Sequence, residues 1–147
     1  MAGKTLSGGD GLDKALADIA TRMGGGSVSV GFLAGASYPD GTPVAAVAFW
    51  NEYGGPERPP RPFFRQMIAK ESPGWAFKMG KLAKLTNYDG AKVLGLMGED
   101  IKGALQKSIN DFTTPALAQS TIHAKGFAKP LIDTSVMLNS IAYEVKT

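Results

Sequence analysis

A ten-residue stretch with almost no polar face limits what this chain can fold into. After Thr42 and Pro43, residues 44–53 read Val-Ala-Ala-Val-Ala-Phe-Trp-Asn-Glu-Tyr, and Gly54 and Gly55 follow. This pattern predicts a helix with Thr42 as its N-cap and Pro43 at its first position, ended by the glycines. A helix that is apolar nearly all round must be buried between other elements or against another subunit.

Size and composition favour a single domain over residues 1–147, with a flexible start over residues 1–9. Hydrophobic residues make up 44% of the chain and charged residues 20%, which is typical of globular domains. The longest apolar run, residues 44–50, is far shorter than the roughly 20 residues of a membrane span. No apolar stretch follows the N-terminal Met, so we expect no secretory signal and no membrane partner.

The spacing of apolar residues predicts an α+β fold. Residues 10–23 carry apolar side chains at helical spacing, whereas residues 27–33 and 141–145 alternate as half-buried strands do. Further helices are predicted to begin near Phe63 and Ser72 and to span residues 88–111, with a short turn after residues 133–134. We therefore expect a small, mainly antiparallel sheet with several helices packed on one side and one long central helix.

Residues 54–62 contain four of the prolines and predict a stiff, extended arm between two aromatic groups. These aromatic side chains can form the core of the domain or anchor an interface, because Trp, Tyr and Arg concentrate binding energy. A rigid arm suits an assembly in which each subunit reaches onto the next. The candidate interface residues are Val47, Phe49, Trp50, Asn51, Glu52, Tyr53, Arg58, Arg61, Phe63, Phe64 and Arg65.

The chain has few of the residues on which common active sites depend. It has no Cys and one His, His123, which argues against thiolate chemistry and against multi-His metal sites. Asp133 could act as a general base, but a helix cap is the commoner use of Asp before Thr134. We expect Glu52 to pair with Arg58 or Arg61 or with a neighbouring subunit. We predict no enzymatic activity, no cofactor and no metal.

The net charge of +3 is unevenly distributed, and a segment in the middle of the chain is basic. Residues 57–84 carry a net charge of +5, whereas residues 1–56 carry −2. A basic segment can attract phosphate, so a DNA-binding module is one hypothesis. The simpler interpretation is a solvated helix face that bears Lys78, Lys81 and Lys84.

Two blocks of this sequence resemble the tail-completion, or minor tail, proteins of tailed bacteriophages. Residues 47–54 and 59–65 read Val-Ala-Phe-Trp-Asn-Glu-Tyr-Gly and Pro-Pro-Arg-Pro-Phe-Phe-Arg, similar to that family's A-x-x-N-E-[FY]-G and P-x-R-P-F-[LF]-R. Residues 129–141 resemble its K-P-L-[IV]-D-T-G-x-[LM]-x-x-S-I, matching at Leu131, Asp133 and Thr134 but with Ser135 in place of Gly. The family is related to the virion-morphogenesis proteins of Mu-like phages.

The resemblance implies a structural virion protein that forms a homo-hexameric ring at the head–tail junction, after assembly in the host cytoplasm. Its expected partners are further copies of itself, the head-side connector or stopper protein, and the tail terminator or tail tube protein. Genomic DNA would pass through the ring without sequence-specific binding. In this hypothesis the helix over residues 44–53 and the arm are buried between subunits, with Arg61 and Arg65 forming forked contacts to a neighbour's carboxylates. A tail terminator, and a DNA-binding accessory module, remain the alternatives.

Overall fold

A computed structural model describes residues 9–111 and 136–147 of the chain. The interpretations of Leu131, Asp133, Thr134 and His123 lie outside the described residues, as does the predicted flexible start up to residue 8. Gly9 already belongs to the first helix.

The described elements alternate between helices and two widely separated strands. In chain order they are α1 (Gly9–Met23), β1 (Ser27–Phe32), α2 (Val44–Tyr53), α3 (Phe63–Glu71), a 3₁₀ turn (Ser72–Gly74), α4 (Trp75–Leu85), α5 (Gly90–Asp111), α6 (Val136–Asn139) and β2 (Ile141–Lys146). The fold is α+β, with a small antiparallel sheet, several helices and one long central helix, as the apolar spacing predicts.

The sheet of the described residues pairs the strand near the N-terminus with the strand at the C-terminus. β1 and β2 run antiparallel, with Val28 opposite Val145 and Val30 opposite Tyr143. These apolar side chains share one face, and α5 packs against both strands. The other face carries exposed polar side chains such as Ser29. The alternation of both strands therefore arises because a single helix covers one side of the sheet.

The long helix α5 approaches the sheet closely at Gly98. A Cβ atom added to Gly98 would lie 2.6 Å from Cγ of Tyr143 and 3.0 Å from Cγ2 of Val28. Gly95 and Gly103, by contrast, have open space where a Cβ atom would be placed. The helix is continuous through all three glycines, so only Gly98 is required by packing.

The main core lies at the C-terminal half of α5, where α2, α3 and α6 meet. Its buried side chains are Val44, Ala48, Phe63, Met67, Leu105, Ile109, Met137 and Ile141. A hydrogen bond that Ser108 Oγ donates to the carbonyl oxygen of Phe63, at 2.7 Å, fixes the start of α3 against α5.

The predicted cap of α2 is wrong. The helix begins at Val44, and Pro43 is the N-cap residue, with extended backbone angles and no side-chain cap. Thr42 is held in the preceding turn, because its N–H donates to Asp40 Oδ1 and its carbonyl oxygen accepts from Tyr38 N, both at 2.9 Å. The carboxylate of Asp40 accepts both backbone and side-chain hydrogen bonds from Thr42, which lowers the pKa of Asp40.

The long helix also starts later than predicted, at Gly90 instead of residue 88. Asn87 and Tyr88 both have positive φ angles, of 52° and 60°, which end α4 and prevent a continuous helix. Gly90 then packs directly on Met23, since a Cβ atom there would lie 2.7 Å from the Met23 carbonyl carbon. This contact joins the end of α1 to the start of α5.

Helix α1 forms as predicted, but its apolar stripe is not buried. None of its residues is buried, and Leu12 and Leu16 are 60% and 54% exposed. Its attachments lie in the last turn, where Arg22 donates to the carbonyl oxygen of Asn87 at 3.1 Å and stacks over Tyr88. The first turns of α1 therefore present leucine side chains to solvent.

We predict opposite effects for two glycine-to-alanine changes in α5. Gly98→Ala lowers the free energy of unfolding by about 1–3 kcal/mol, because the added methyl group displaces Tyr143 and Val28. Gly103→Ala raises it by about 0.5–1 kcal/mol, because alanine favours the helix and meets no neighbour there. Urea unfolding followed by circular dichroism measures both. Equal effects of the two changes would contradict the described packing of α5 on the sheet.

Candidate functional site

A buried carboxylate joins α2 to the first turn of α3. Glu52 lies on the buried side of α2 and is 6% exposed. Its Oε2 atom accepts a hydrogen bond from the N–H of Phe64 at 3.0 Å, and its Oε1 atom accepts one from the N–H of Arg65 at 3.1 Å. The first N–H groups of a helix lack partners within the helix and carry partial positive charge. Glu52 therefore caps α3 from another helix.

Arg65 completes this connection from the other side. Its Nε atom donates to Glu52 Oε1 at 2.8 Å, and its Nη2 atom donates to the Glu52 carbonyl oxygen at 3.0 Å. The guanidinium also lies 4.8 Å from the ring centroid of Tyr53. The side chain thus binds the carboxylate, a carbonyl at the end of α2 and an aromatic face. We call Glu52, Tyr53 and Arg65 the α2–α3 clasp.

The Pro-rich connector, residues 54–62, was predicted to be an extended arm, but it begins with a tight turn. Gly55 and Arg58 exchange two backbone hydrogen bonds, at 2.9 and 3.0 Å. Gly54 has a φ angle of 72°, and a Cβ atom there would lie 2.6 Å from the Arg58 carbonyl oxygen and 2.8 Å from Pro60 N. Glycine is therefore required at the point where the chain leaves α2.

The second half of the connector returns to α2 through one backbone hydrogen bond. The N–H of Arg61 donates to the carbonyl oxygen of Asn51 at 2.6 Å, which holds residues 59–62 close to the helix that they follow. The side chain of Asn51 bonds within α2, where Nδ2 donates to the carbonyl oxygen of Val47 at 2.9 Å.

Arg61, in the connector, is half-buried, and part of its guanidinium is enclosed. Burial lowers the pKa of Arg61, and the nearby positive charge of Arg58 lowers it further. The Nε atom of Arg61 is buried and has no hydrogen-bond partner among residues 9–111 and 136–147. Arg65 is the second arginine predicted to form forked contacts with a neighbour, and its guanidinium binds Glu52 of its own chain.

The structure corrects the predicted partner of Glu52. The carboxylate pairs with Arg65 and with neither Arg58 nor Arg61. The reason is the start of α3 at Phe63, which places the N–H groups of the next two residues over the end of α2. Both carboxylate oxygens accept hydrogen bonds from α3, so Glu52 serves as a cap.

Next to the clasp, and including its Tyr53, α2 presents an aromatic surface to solvent. Phe49, Trp50 and Tyr53 are 60%, 49% and 56% exposed, and the rings of Phe49 and Tyr53 lie 4.8 Å apart. Between α2 and α3 this surface forms a shallow depression of about 300 Å³, which we call the aromatic groove. Its apolar lining includes Phe32, Ala45, Phe49, Tyr53, Phe64 and Ile68. Trp50 lies outside this groove, beside the turn with which the connector begins.

The predicted interface residues divide by burial into three groups. Glu52 and Phe63 are buried inside the chain; Val47, Asn51, Arg61 and Phe64 are partly buried; Phe49, Trp50, Tyr53, Arg58 and Arg65 are exposed. The sequence analysis missed Ile68, which is 39% exposed in the groove. Its position one helical turn after Phe64 is the signal that could have identified it.

The basic segment does not form a continuous row of unpaired cations. Lys78 forms an ion pair with Asp100, with Nζ and Oδ2 2.7 Å apart. Lys81 Nζ lies 4.6 Å from the ring centroid of Phe77, and Lys81 and Lys84 are exposed. This arrangement is the one expected of a solvated helix face.

Among residues 9–111 and 136–147, no helix is long and apolar enough to cross a membrane. The same part of the chain contains no group of three or more His, Asp or Glu side chains suited to a metal ion.

Comparison with protein-family models, with curated proteins and with solved structures finds no match to this chain. Membership of the phage family, which the blocks at residues 47–65 and 129–141 indicate, stays a prediction.

We predict that Glu52→Gln lowers the free energy of unfolding by about 1–3 kcal/mol, because an amide –NH₂ group replaces one acceptor oxygen that faces the N–H donors. Glu57→Gln is the matched control, since Glu57 is exposed on the nearby turn, and it changes stability by less than about 0.5 kcal/mol.

Arg65→Met extends this test to a double-mutant cycle measured by urea unfolding. The effects of Glu52→Gln and Arg65→Met should not add, with a coupling of about 0.5–3 kcal/mol. Additive effects would contradict the clasp.

Proposed function

We propose that this chain is a structural subunit of the tailed-bacteriophage head–tail junction that self-associates through the aromatic surface of α2 and completes the upper end of the tail. Two observations support the proposal. One is the resemblance carried by residues 47–65 and 129–141. The other is the surface that the first of these blocks forms in the structure.

The observation that carries the proposal is how the motif residues divide their roles. Glu52, Gly54 and Arg65 hold the end of α2 against the start of α3. Phe49 and Trp50, from the same block, remain exposed on that helix. Exposed aromatic clusters on a rigid support are typical of protein–protein contacts. The motif therefore combines a firm support with an exposed binding surface.

A tail terminator is one alternative, and it would also need a surface for self-association. The two roles differ in what the loss of the protein does to the tail. A DNA-binding module receives less support, because Arg65 and Lys78 are paired with carboxylates of their own chain. A ring through which DNA passes needs no base-reading side chains. No membrane and no cofactor take part in the proposed role.

The function is tested by placing a stop codon at Trp50 in the phage genome that encodes the chain and imaging the lysate by negative-stain electron microscopy. The proposal predicts filled heads beside finished, unattached tails. Overlong or missing tails would overturn tail completion in favour of the terminator. Normal infectious virions would contradict both. Expression of the intact chain from a plasmid is the control and restores infectious virions.

We predict that Trp50→Glu fails to complement the stop-codon phage. Loss of a central aromatic contact costs at least about 2 kcal/mol of binding energy, which weakens association roughly thirtyfold. Phe77→Glu is the matched control, because Phe77 is an exposed aromatic on α4, at 70% against 49% for Trp50, and it complements fully. Phage titre measures both, with circular dichroism to confirm folding. Equal titres for the two variants would contradict a role for the α2 surface.

A further inference from the structure

Helix α1 carries an apolar stripe that residues 9–111 and 136–147 leave largely uncovered. Leu12, Leu16 and Ile19 follow at steps of four and three residues; the two leucines are 60% and 54% exposed, and Ile19 is partly buried. The surrounding charge is acidic, since residues 9–18 carry three Asp and one Lys. An amphipathic helix with apolar residues at this spacing is the shape that binds into a groove on another protein.

The aromatic groove has the complementary properties. Its lining is mostly apolar, with Glu52 and Arg65 as the charged residues, and it lies between two helices, as grooves that accept a helix commonly do. The chain segment that forms one side of it is basic, because residues 57–70 carry four basic and one acidic side chain. Arg65 lines the groove, paired with Glu52, and Arg58 and Lys70 are exposed elsewhere in the same segment. An acidic helix and a basic segment attract each other and disfavour pairing of two like surfaces.

The two surfaces lie at opposite ends of the central helix. Met23, at the end of α1, packs on Gly90 at the start of α5, whereas Phe63 is bonded to Ser108 near its end. Residues 90 and 108 are about 27 Å apart along a helix axis. One copy can therefore offer its α1 to a second copy while its own groove remains open to a third.

We propose that α1 of one copy docks into the aromatic groove of the next copy, with Leu12, Leu16 and Ile19 against Phe49, Phe64 and Ile68. This inference rests on the proposed function, which makes the groove a subunit contact, and it names what fills the groove. The contact joins two different patches, so it is heterologous and propagates head to tail. A closed ring is the product when the rotation between neighbours closes.

A mixing experiment separates this arrangement from pairing of identical surfaces. The α1 variant carries Leu12→Glu and Leu16→Glu, and the groove variant carries Phe49→Glu and Ile68→Glu. All four positions are at least 39% exposed, and glutamate is a good helix former, so both variants should fold. The matched control carries Phe77→Glu and Leu85→Glu, at positions 70% and 82% exposed on α4. Sedimentation velocity gives the size distribution, and circular dichroism confirms folding.

The wild-type chain and the control should assemble alike, and each interface variant alone should associate at least about a hundredfold more weakly. An equimolar mixture of the two interface variants should form a one-to-one heterodimer, because one intact α1 then meets one intact groove. It should form nothing larger, since the remaining two surfaces are both disabled.

Three results would overturn the inference: an α1 variant that assembles like the wild type, a mixture that stays monomeric, or a wild-type chain that stays monomeric at every concentration tested. The role in tail completion is tested separately, by the heads and tails that the stop-codon phage produces. The two failures are thus distinguishable.

Directed cross-linking gives a second measurement, because the natural chain has no cysteine. Leu16→Cys and Phe49→Cys chains, mixed under mild oxidation, should form a mixed disulfide in preference to either homodimer. Preferential Phe49–Phe49 pairing would instead show that two grooves face each other and would overturn the docking of α1.

Discussion

The carboxylate of Glu52 is the interaction on which the rest of the proposed surface depends. It supplies acceptors for two N–H groups of α3 and for the guanidinium of Arg65. The Glu52 side chain is 8% exposed, so its carboxylate depends on these protein donors, whereas the Arg65 side chain is 55% exposed and reaches water. One side chain of α2 thereby holds the first turn of α3. The aromatic groove lies between the two helices that this contact joins.

Much of the fold could be predicted from apolar spacing, because each strand has one covered face and each long helix one apolar stripe. The contacts that position the site could not. The start of α3 near Phe63 was predicted, but the partner of Glu52 depends on which N–H groups of that first turn face the end of α2, and the sequence does not give that. The need for Gly98 depends on Tyr143, which lies far along the chain and reaches α5 only through the pairing of β1 with β2.

The candidate surface was predicted in part, and for a physical reason. The stretch around Phe49 and Trp50 has too few polar residues for a solvated helix, so sequence alone indicates a missing partner. Sequence could not show which of these side chains the chain buries itself. The structure buries Glu52 and leaves the aromatics exposed. For α1, periodicity indicated an apolar face, and only the structure shows that the described residues leave Leu12 and Leu16 exposed.

The most direct test of the account is amide hydrogen exchange at Phe64 and Arg65 in the unmodified protein. First-turn amides of a helix ordinarily exchange fast, because they lack intrahelical partners. The account predicts slow exchange at both positions, in contrast to Ala45 in the first turn of α2, which has no side-chain cap. Exchange at Phe64 and Arg65 as fast as at Ala45 would show that Glu52 does not cap α3 and would contradict the account.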